Sequence, residues 1–389
     1  MNILIAPDSF KGSLSALEFC DIAAEVFQNH PVQDIKLHLL PLADGGEGTI
    51  DAVLTYTHAQ KTAVKVHNAL GLSDIAYYAF LSHEQPDNPY GRDTAIIEMA
   101  QASGLPAIHP SQRNPLKTSS SGTGELIKQA LSKGARKLII GLGGSATNDG
   151  GMGMLSALGV QFYNQQGQRL TPAGQMLGLI ERIDTTQLDS RLKECDIIIA
   201  SDVTSPLLGE QGASHVFAAQ KGADAEMIRQ LETGMTIFAE KTLSTLKLPA
   251  TTVNIPGAGA AGGMGFALLT YTQAIVKSGF DVLAEISALN KLLKDKDNKP
   301  DMIITGEGYF DQQSLQGKLT GRLIAKAQAM NIPLTLICGN FTQGIEAQLS
   351  DNISLLALVN GLVSTDEAMQ NTAELVKHQL IKFIRTDIV

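Results

Sequence analysis

The chain predicts an α/β protein, and three observations carry that expectation. Short branched apolar runs recur six times, each breaking into a polar loop that holds glycine, a carboxylate or both. Apolar residues at helical spacing follow most of these loops. One stretch, 63–79, instead alternates around Gly71 in the manner of an antiparallel hairpin. Unbroken apolar runs suit parallel strands covered on both faces, and strand-then-helix order favours α/β over all-α or all-β. The expected architecture is two α/β domains around a cleft, one a Rossmann/flavodoxin-like parallel sheet and the other a smaller mixed-sheet domain. A discontinuous division places 1–60 with 270–389 in the first and 61–269 in the inserted second.

In chain order, Ile3 to Ala6 form the first strand and lead to Asp8, Ser9, Lys11 and Gly12. Leu14, Leu17, Ile22, Ala23 and Val26 then recur at helical spacing behind Ser13 as a cap. Leu37 to Leu42 form a second strand before Asp44-Gly45-Gly46-Glu47-Gly48. Val64, Val66, Ile75 and Tyr77 mark the hairpin, while 83–92 and 105–115, with their prolines, read as loops. Thr123, Leu126, Ile127, Ala130 and Leu131 give the next helix. Leu138 to Ile140 run into Gly141, Gly143-Gly144, Asn148-Asp149 and Gly150-Gly151, and a helix opens at Met152. Ile197 to Ile199 run into Asp202, and Val253 to Ile255 are expected as a strand before the glycine tract Gly257 to Gly265. A polar connector over 292–299 precedes Met302 to Ile304, which run into Gly306, Glu307, Gly308 and Asp311. Leu319, Leu323, Ile324, Ala327 and Met330 form a further helix.

A length of 389 residues with 44% hydrophobic and 18% charged residues fits two or three packed domains and excludes a disordered chain. A net charge of −9 with no Lys/Arg-rich stretch argues against nucleic acid. Cys20, Cys195 and Cys338 lack the paired spacing of a metal site or disulfide framework and are expected as buried thiols. No apolar run approaches the ~20 residues of a membrane helix, and the chain opens on a strand without a basic leader, so a cytoplasmic protein is expected.

Ligands of open α/β sheets sit outside the carboxyl ends of the strands, where these loops gather. Carboxylates, lysines and backbone N–H groups should therefore converge on one crevice, which points to an enzyme. No Walker-type phosphate loop, Gly-x-Ser-x-Gly elbow or metal-spaced histidines occur, and His38 and His67 read as satisfied strand residues. Gly257, Gly259 and Gly262 make a literal dinucleotide fingerprint, but Asp281, near the expected partner position, lies in a helical pattern. Gly141 to Gly153, with Ser145, Thr147, Asn148 and Asp149, can turn successive N–H groups toward phosphates or surround a cation. Glu307 and Asp311 supply hard oxygen ligands suited to Mg²⁺, and Lys11 can cancel charge on a transferring phosphoryl group.

Several long motifs resemble the bacterial class I glycerate kinases: 6–13 (APDSFKGS), 43–49 (ADGGEGT), 143–151 (GGSATNDGG) and 257–263 (GAGAAGG). Asn114-Pro115-Leu116-Lys117, Gly122 to Leu126, Gln220-Lys221-Gly222-Ala223 and Thr305 to Gly308 extend the resemblance over nearly the whole chain. The resemblance implies ATP-dependent, Mg²⁺-assisted phosphorylation of D-glycerate, usually at the 2-hydroxyl, in glycerate, glyoxylate and sugar-acid breakdown. It implies ATP and D-glycerate as partners, no nucleic acid or membrane, and leaves room for a homodimer. Around Asp202, serines stand where the family pattern has cysteine and asparagine, and Glu307, Asp311, Gln313 and Lys318 keep its polar skeleton.

On this reading Asp202 or Asp44 accepts the hydroxyl proton, while Lys11 and Lys318 neutralise phosphoryl oxygens or the substrate carboxylate. Asp8, Ser9, Lys11 and Glu47 face glycerate. The loop with Gly143, Gly144, Ser145, Thr147, Asn148 and Asp149, together with Gly262 and Gly263, faces the nucleotide. Glu307 and Asp311 hold Mg²⁺. A nicotinamide-dependent hydroxy-acid dehydrogenase and a non-catalytic sugar-acid sensor are the competing readings.

Overall fold

The computed structural model describes residues 1–30, 34–43, 45–315, 317–359 and 364–388. Its strands are β1 (Asn2–Ile5), β2 (Lys36–Leu39), β3 (Gln60–His67), β4 (Ser73–Leu81), β5 (Thr94–Glu98), β6 (Lys137–Gly141) and β7 (Gln161–Tyr163). They continue as β8 (Arg182–Asp184), β9 (Asp196–Ala200), β10 (Ile275–Lys277), β11 (Met302–Phe310), β12 (Leu334–Phe341) and β13 (Ile353–Ala357). The chain divides into two compact units. One comprises Met1–Asp44, Asp51–Thr57 and Gly279–Val389, and the other Gly45–Ile50 and His58–Ser278.

The first unit holds a five-stranded sheet in the order β13-β12-β11-β1-β2, every pair parallel. Its apolar runs are unbroken because both faces are covered. Ile3 and Ile5 pack with Phe19, Ala23, Val376 and Leu380 on one side. Leu4 and Ala6 pack with Phe280, Ala284, Leu319 and Leu323 on the other. Each such aliphatic side chain contributes about 1.5–3 kcal/mol when fully buried, so covering both faces fixes strand position and register together. The chain leaves β1 toward β2 on one side, whereas β11, β12 and β13 fill the other. The order therefore reverses between β1 and β11, and it is at such switch points, outside the carboxyl ends of the strands, that open α/β sheets hold ligands.

The helix Ala16–Asn29 begins two residues later than the periodicity suggested. Ser15, not Ser13, caps it: the Ser15 hydroxyl accepts from Glu18 N while Glu18 receives the Ser15 N–H. The Ser13 hydroxyl donates instead to Phe10 O at 3.1 Å, inside a tight Phe10–Leu14 turn. His38 also departs from expectation. Its Nε2 is buried without a hydrogen-bond partner among the described residues, and burial holds its pKa below the usual value. His67, in contrast, is satisfied by Glu125, which accepts from its backbone N and lies 2.8 Å from Nδ1.

The second unit has a mixed sheet, β10-β9-β6-β5-β4-β3, in which only β3–β4 and β4–β5 are antiparallel. A small β7–β8 ribbon lies beside it in sequence. This unit is the larger of the two and its sheet has six strands against five, where the sequence was expected to give a smaller domain. The hairpin, the ribbon and the helix Ala225–Leu246 are added to the four parallel strands. Val253 to Ile255 are not a strand. The segment Ala250–Asn254 is a 3₁₀ turn, and Pro249 and Pro256 on either side could not donate to a ladder. The neighbour of β9 is Ile275–Lys277 instead, too short to stand out in sequence. Cys20, Cys195 and Cys338 are free and buried. Among the described residues no helix is long and apolar enough to cross a membrane.

Candidate functional site

In the first unit the loop after β1 runs along the long tail of β11 at this switch point. Ala6 N donates to Ile304 O and Asp8 N to Gly306 O, both at 2.8 Å, so the β1–β11 ladder continues into the loop. Gly306 permits this: a Cβ there would lie 2.9 Å from Phe19 and 3.0 Å from Phe10. Asp8 and Ser9 are half-buried, with Asp8 Oδ1 accepting from Ser9 N at 2.7 Å, and Lys11 is exposed. Glu307 is only 8% exposed. Its Oε2 accepts from the Ser314 hydroxyl at 2.9 Å, while Oε1 is buried without a partner among the described residues.

Burial pushes the Glu307 carboxyl up to about 7; the Ser314 and Thr320 hydroxyls oppose this, Asp8 adds to it, and Lys318 opposes it. Asp311 Oδ1 accepts from Ser314 N at 2.9 Å and so caps the short turn Gln312–Leu315. Lys318 is exposed just ahead of the helix Leu319–Ala329. Asp8, Ser9, Glu307, Asp311 and Lys318, with Lys11 beside them in the same loop, thus gather around the carboxyl ends of two adjacent strands.

The second unit gathers its own loops at the ends of β5, β6 and β9. Glu98 closes β5 and accepts from Ile50 N at 2.5 Å, while Thr49 donates to Gly46 O at 2.8 Å. Gly45 and Gly46 press on the ends of β6 and β9: a Cβ on Gly45 would lie 2.6 Å from Ala200 O, and one on Gly143 2.5 Å from Gly46 Cα. Glu47 is exposed on this turn, and Asp202 is half-buried just past β9. Asp44 lies outside the described residues.

The glycine-rich loop after β6 has an exposed tip and a buried base. Gly144 is exposed and Gly143 half-buried, Ser145 beside them is only 8% exposed, and Thr147, Asn148 and Asp149 are wholly buried. Asp149 accepts from Ser120 N and Oγ at 2.8 Å and from Gly151 N and Gly153 N at 3.1 Å. Burial nonetheless raises its pKa against those bonds. Lys221 is 1% exposed and donates to Thr147 O at 2.7 Å. Burial lowers its pKa to about 7, with Asp149 opposing.

The glycine tract after the 3₁₀ turn meets the same base. Gly262 has φ +64°, and a Cβ on it would lie 2.1 Å from Thr147 O; its carbonyl accepts from Gly150 N at 3.0 Å. Gly263 and Gly150 leave room for Met235 and Phe238 of the helix Ala225–Leu246. The tract is therefore a close-packing partner of the first loop. Without a preceding strand, and with Asp281 in the helix Gly279–Ile286, the dinucleotide fingerprint loses its structural context.

Sequence reasoning missed Ser314, Glu98 and Ser120, and met Lys221 only inside a family motif. Asp311-x-x-Ser314 is a readable capping pattern. Nothing local to Lys221 or Ser120 announces that they share a buried cluster.

The chain matches the Glycerate kinase family over residues 3–386. It is 40% identical over 376 residues to a protein of Bacillus subtilis (strain 168) named glycerate kinase, covering 96% of this chain and 94% of that one. It is 39% identical over 371 residues to a protein of Escherichia coli (strain K12) named glycerate 2-kinase, covering 95% and 93%. A crystal structure of a Salmonella typhimurium LT2 protein assigned as glycerate kinase 2 aligns with a TM-score of 0.80 at 38% identity, covering 99% of this chain and 98% of that one.

Proposed function

The chain belongs to the glycerate kinase family, phosphotransferases with an alcohol group as acceptor, and we propose that it transfers the γ-phosphoryl group of ATP to the 2-hydroxyl of D-glycerate. The hydroxyl oxygen attacks the γ-phosphorus in line, the bond to the ADP oxygen breaks, and the hydroxyl proton passes to a carboxylate. The products are 2-phosphoglycerate and ADP. Attack by the 3-hydroxyl would give 3-phosphoglycerate by the same chemistry.

Glu307 is the observation that carries this reading. A carboxylate with one oxygen satisfied by Ser314 and the other buried without a partner among the described residues, at a switch point of the sheet, has the character of a hard-cation ligand. Mg²⁺ is such a cation, bound through one or two carboxylates together with substrate phosphates. Glu307 and Asp311 would hold it, and it would supply charge neutralisation for the nucleotide phosphates.

The remaining roles follow from charge and position. Lys11 and Lys318, exposed beside Glu307, stabilise negative charge on the phosphoryl oxygens or the glycerate carboxylate. Asp8, Ser9, Lys11 and Glu47 orient glycerate, and Asp202 or Asp44 takes the proton. Gly143, Gly144 and Ser145 at the loop tip meet the nucleotide, while Thr147, Asn148, Asp149, Gly262 and Gly263 form the base that shapes the tip. A cytoplasmic place in glycerate, glyoxylate or sugar-acid breakdown belongs to the same proposal.

Phosphorus NMR of the product from ATP, Mg²⁺ and D-glycerate tests the reaction and its regiochemistry together. The expected result is ADP with 2-phosphoglycerate. A 3-phosphoglycerate signal would move the acceptor to the other hydroxyl. Ligand binding without ADP release would leave only a sensor, and an absorbance change with a nicotinamide cofactor would restore the dehydrogenase.

A further inference from the structure

Lys221 lies outside the exposed groups assigned to the reaction, yet it is among the largest wholly buried side chains in the molecule. An ammonium removed from water is costly unless charge and hydrogen bonds compensate it. Here one N–H donates to Thr147 O at 2.7 Å, and the Asp149 carboxylate supplies the opposing charge. Both partners belong to the base of the glycine-rich loop. Lys221 closes a 3₁₀ turn, Ala219–Lys221, followed by Gly222 at φ +94°, where a Cβ would lie 2.4 Å from Arg113 O. The backbone that delivers the lysine is therefore as constrained as the loop that receives it.

The other sides of the loop base are already fixed. Ser120 and two backbone N–H groups hold Asp149, Ser103 O accepts from Ala146 N at 2.9 Å, and the Thr118 hydroxyl donates to Ala146 O at 3.0 Å. Gly262 closes on the Thr147 carbonyl from its own segment. The Thr147–Asn148 peptide is planar, so turning its carbonyl toward Lys221 turns the Asn148 N–H the opposite way. Thr147 Oγ1 and Asn148 Oδ1 are buried without hydrogen-bond partners among the described residues, and the Asn148 Nδ2 donates to the Ser214 hydroxyl at 3.3 Å. Lys221 is the side chain that grips the Thr147 carbonyl itself, at the shorter distance of 2.7 Å.

We propose that Lys221 is a positioning residue for the nucleotide: by holding the Thr147 carbonyl and balancing Asp149, it fixes the base of the loop whose tip, Gly143 to Ser145, meets the phosphates. The inference rests on the kinase reading for the identity of the ligand, but not for the contact between lysine and loop. A merely structural lysine would affect both substrates alike. A positioning one affects the nucleotide selectively, because its side-chain hydrogen bond and its opposing charge both lie in this loop.

The test uses the full chain with Lys221→Met, which keeps the unbranched apolar stem but loses charge and donor. Its readouts are the separate KM values for ATP and D-glycerate, the thermal midpoint, and ADP affinity by calorimetry without turnover. The expected result is an ATP KM and ADP Kd raised about 10–100-fold, as when a reacting group is displaced by a fraction of its own size, with the glycerate KM held near wild type. Lys221→Ala should show the same defect and recover nucleotide affinity when ethylammonium is added. Lys221→Gln carries the same readouts should Lys221→Met fail to yield folded protein. Unchanged ADP affinity, or a parallel loss for both substrates without amine rescue, overturns the proposal. Wild-type protein that binds ADP but does not phosphorylate glycerate would instead overturn the kinase reading, and calorimetry would still decide the role of Lys221.

Discussion

The two charged loop systems handle their charges in opposite ways. Around β1 and β11, Lys11 and Lys318 are exposed, Asp8 is half-buried, and Glu307 keeps one buried oxygen without a partner among the described residues. Around β6, Asp149 and Lys221 are wholly buried, and the carboxylate has four hydrogen bonds within the fold. A charge with spare coordination can act on a ligand, whereas one consumed by backbone groups can only hold the backbone. The same residue types are thus left available to a ligand in one unit and committed to loop geometry in the other, on the function proposed above. Removing them should damage different quantities.

Four substitutions sharpen that contrast. Asp149→Ala should be the most damaging to folding. It strands the donors of Ser120, Gly151 and Gly153 and leaves Lys221 uncompensated, an expected loss of about 3–5 kcal/mol, read from the urea midpoint. A midpoint close to wild type would show that the cluster relaxes freely. Glu307→Gln should do the reverse. Turnover should fall by about 10²–10³-fold, the usual effect of deleting one preorganised electrostatic group, while the melting temperature holds or rises, since a buried amide costs less than a buried carboxylate. Equal damage to folding and turnover would erase the distinction between the two loops.

Gly262→Ala tests the packing of the glycine tract. The new Cβ would meet Thr147 O at a left-handed φ, so a destabilisation of about 1–3 kcal/mol is expected, with a rise in the ATP KM larger than that for glycerate. An unaltered ATP KM would detach the tract from the loop.

The smallest effect should come from the exposed His83–Asp93 pair, 2.8 Å apart in the second unit. The hydrogen bond and charge of Asp93 raise the His83 pKa. Burial works against Asp93, but hydrogen bonds from His83 hold its carboxyl below the usual range. A raised histidine pKa adds stability that is complete below the unfolded value and is lost as pH rises through the folded one. The depressed carboxylate adds stability above its unfolded value, lost as pH falls through the folded one. The melting-temperature gap between wild type and His83→Gln should therefore be widest between about pH 4 and 6.5 and close at higher pH. A gap independent of pH would mean the pair contributes through packing alone.

Much of the fold was legible. Ile3 to Ala6, Leu138 to Ile140, Ile197 to Ile199 and Met302 to Ile304 read as doubly covered strands, and they are β1, β6, β9 and β11. The hairpin around Gly71 is β3–β4, and free, buried cysteines follow from their apolar settings. Val253 to Ile255 misled because three apolar residues suit a 3₁₀ turn as well as a strand, and the flanking prolines settled it. Ile275–Lys277 escaped notice because an edge strand of three residues with an exposed Ile275 leaves little pattern to read. In the candidate site, strand-end position made Glu307 and Asp8 candidates and the family motifs suggested their roles, whereas nothing local signalled the burial of Asp149.

The sequence by itself determined which segments become parallel strands, because covering a sheet on both faces demands apolar side chains at consecutive positions. It also placed glycines where backbones must approach closely. Only the tertiary structure decided what each charge does, since solvation and partners come from residues far along the chain. Lys221 reaches Thr147 across 74 positions, and Asp149 is held by Ser120 across 29. A charge's role is set by the dielectric and the donors around it, and those are assembled only when the chain is folded.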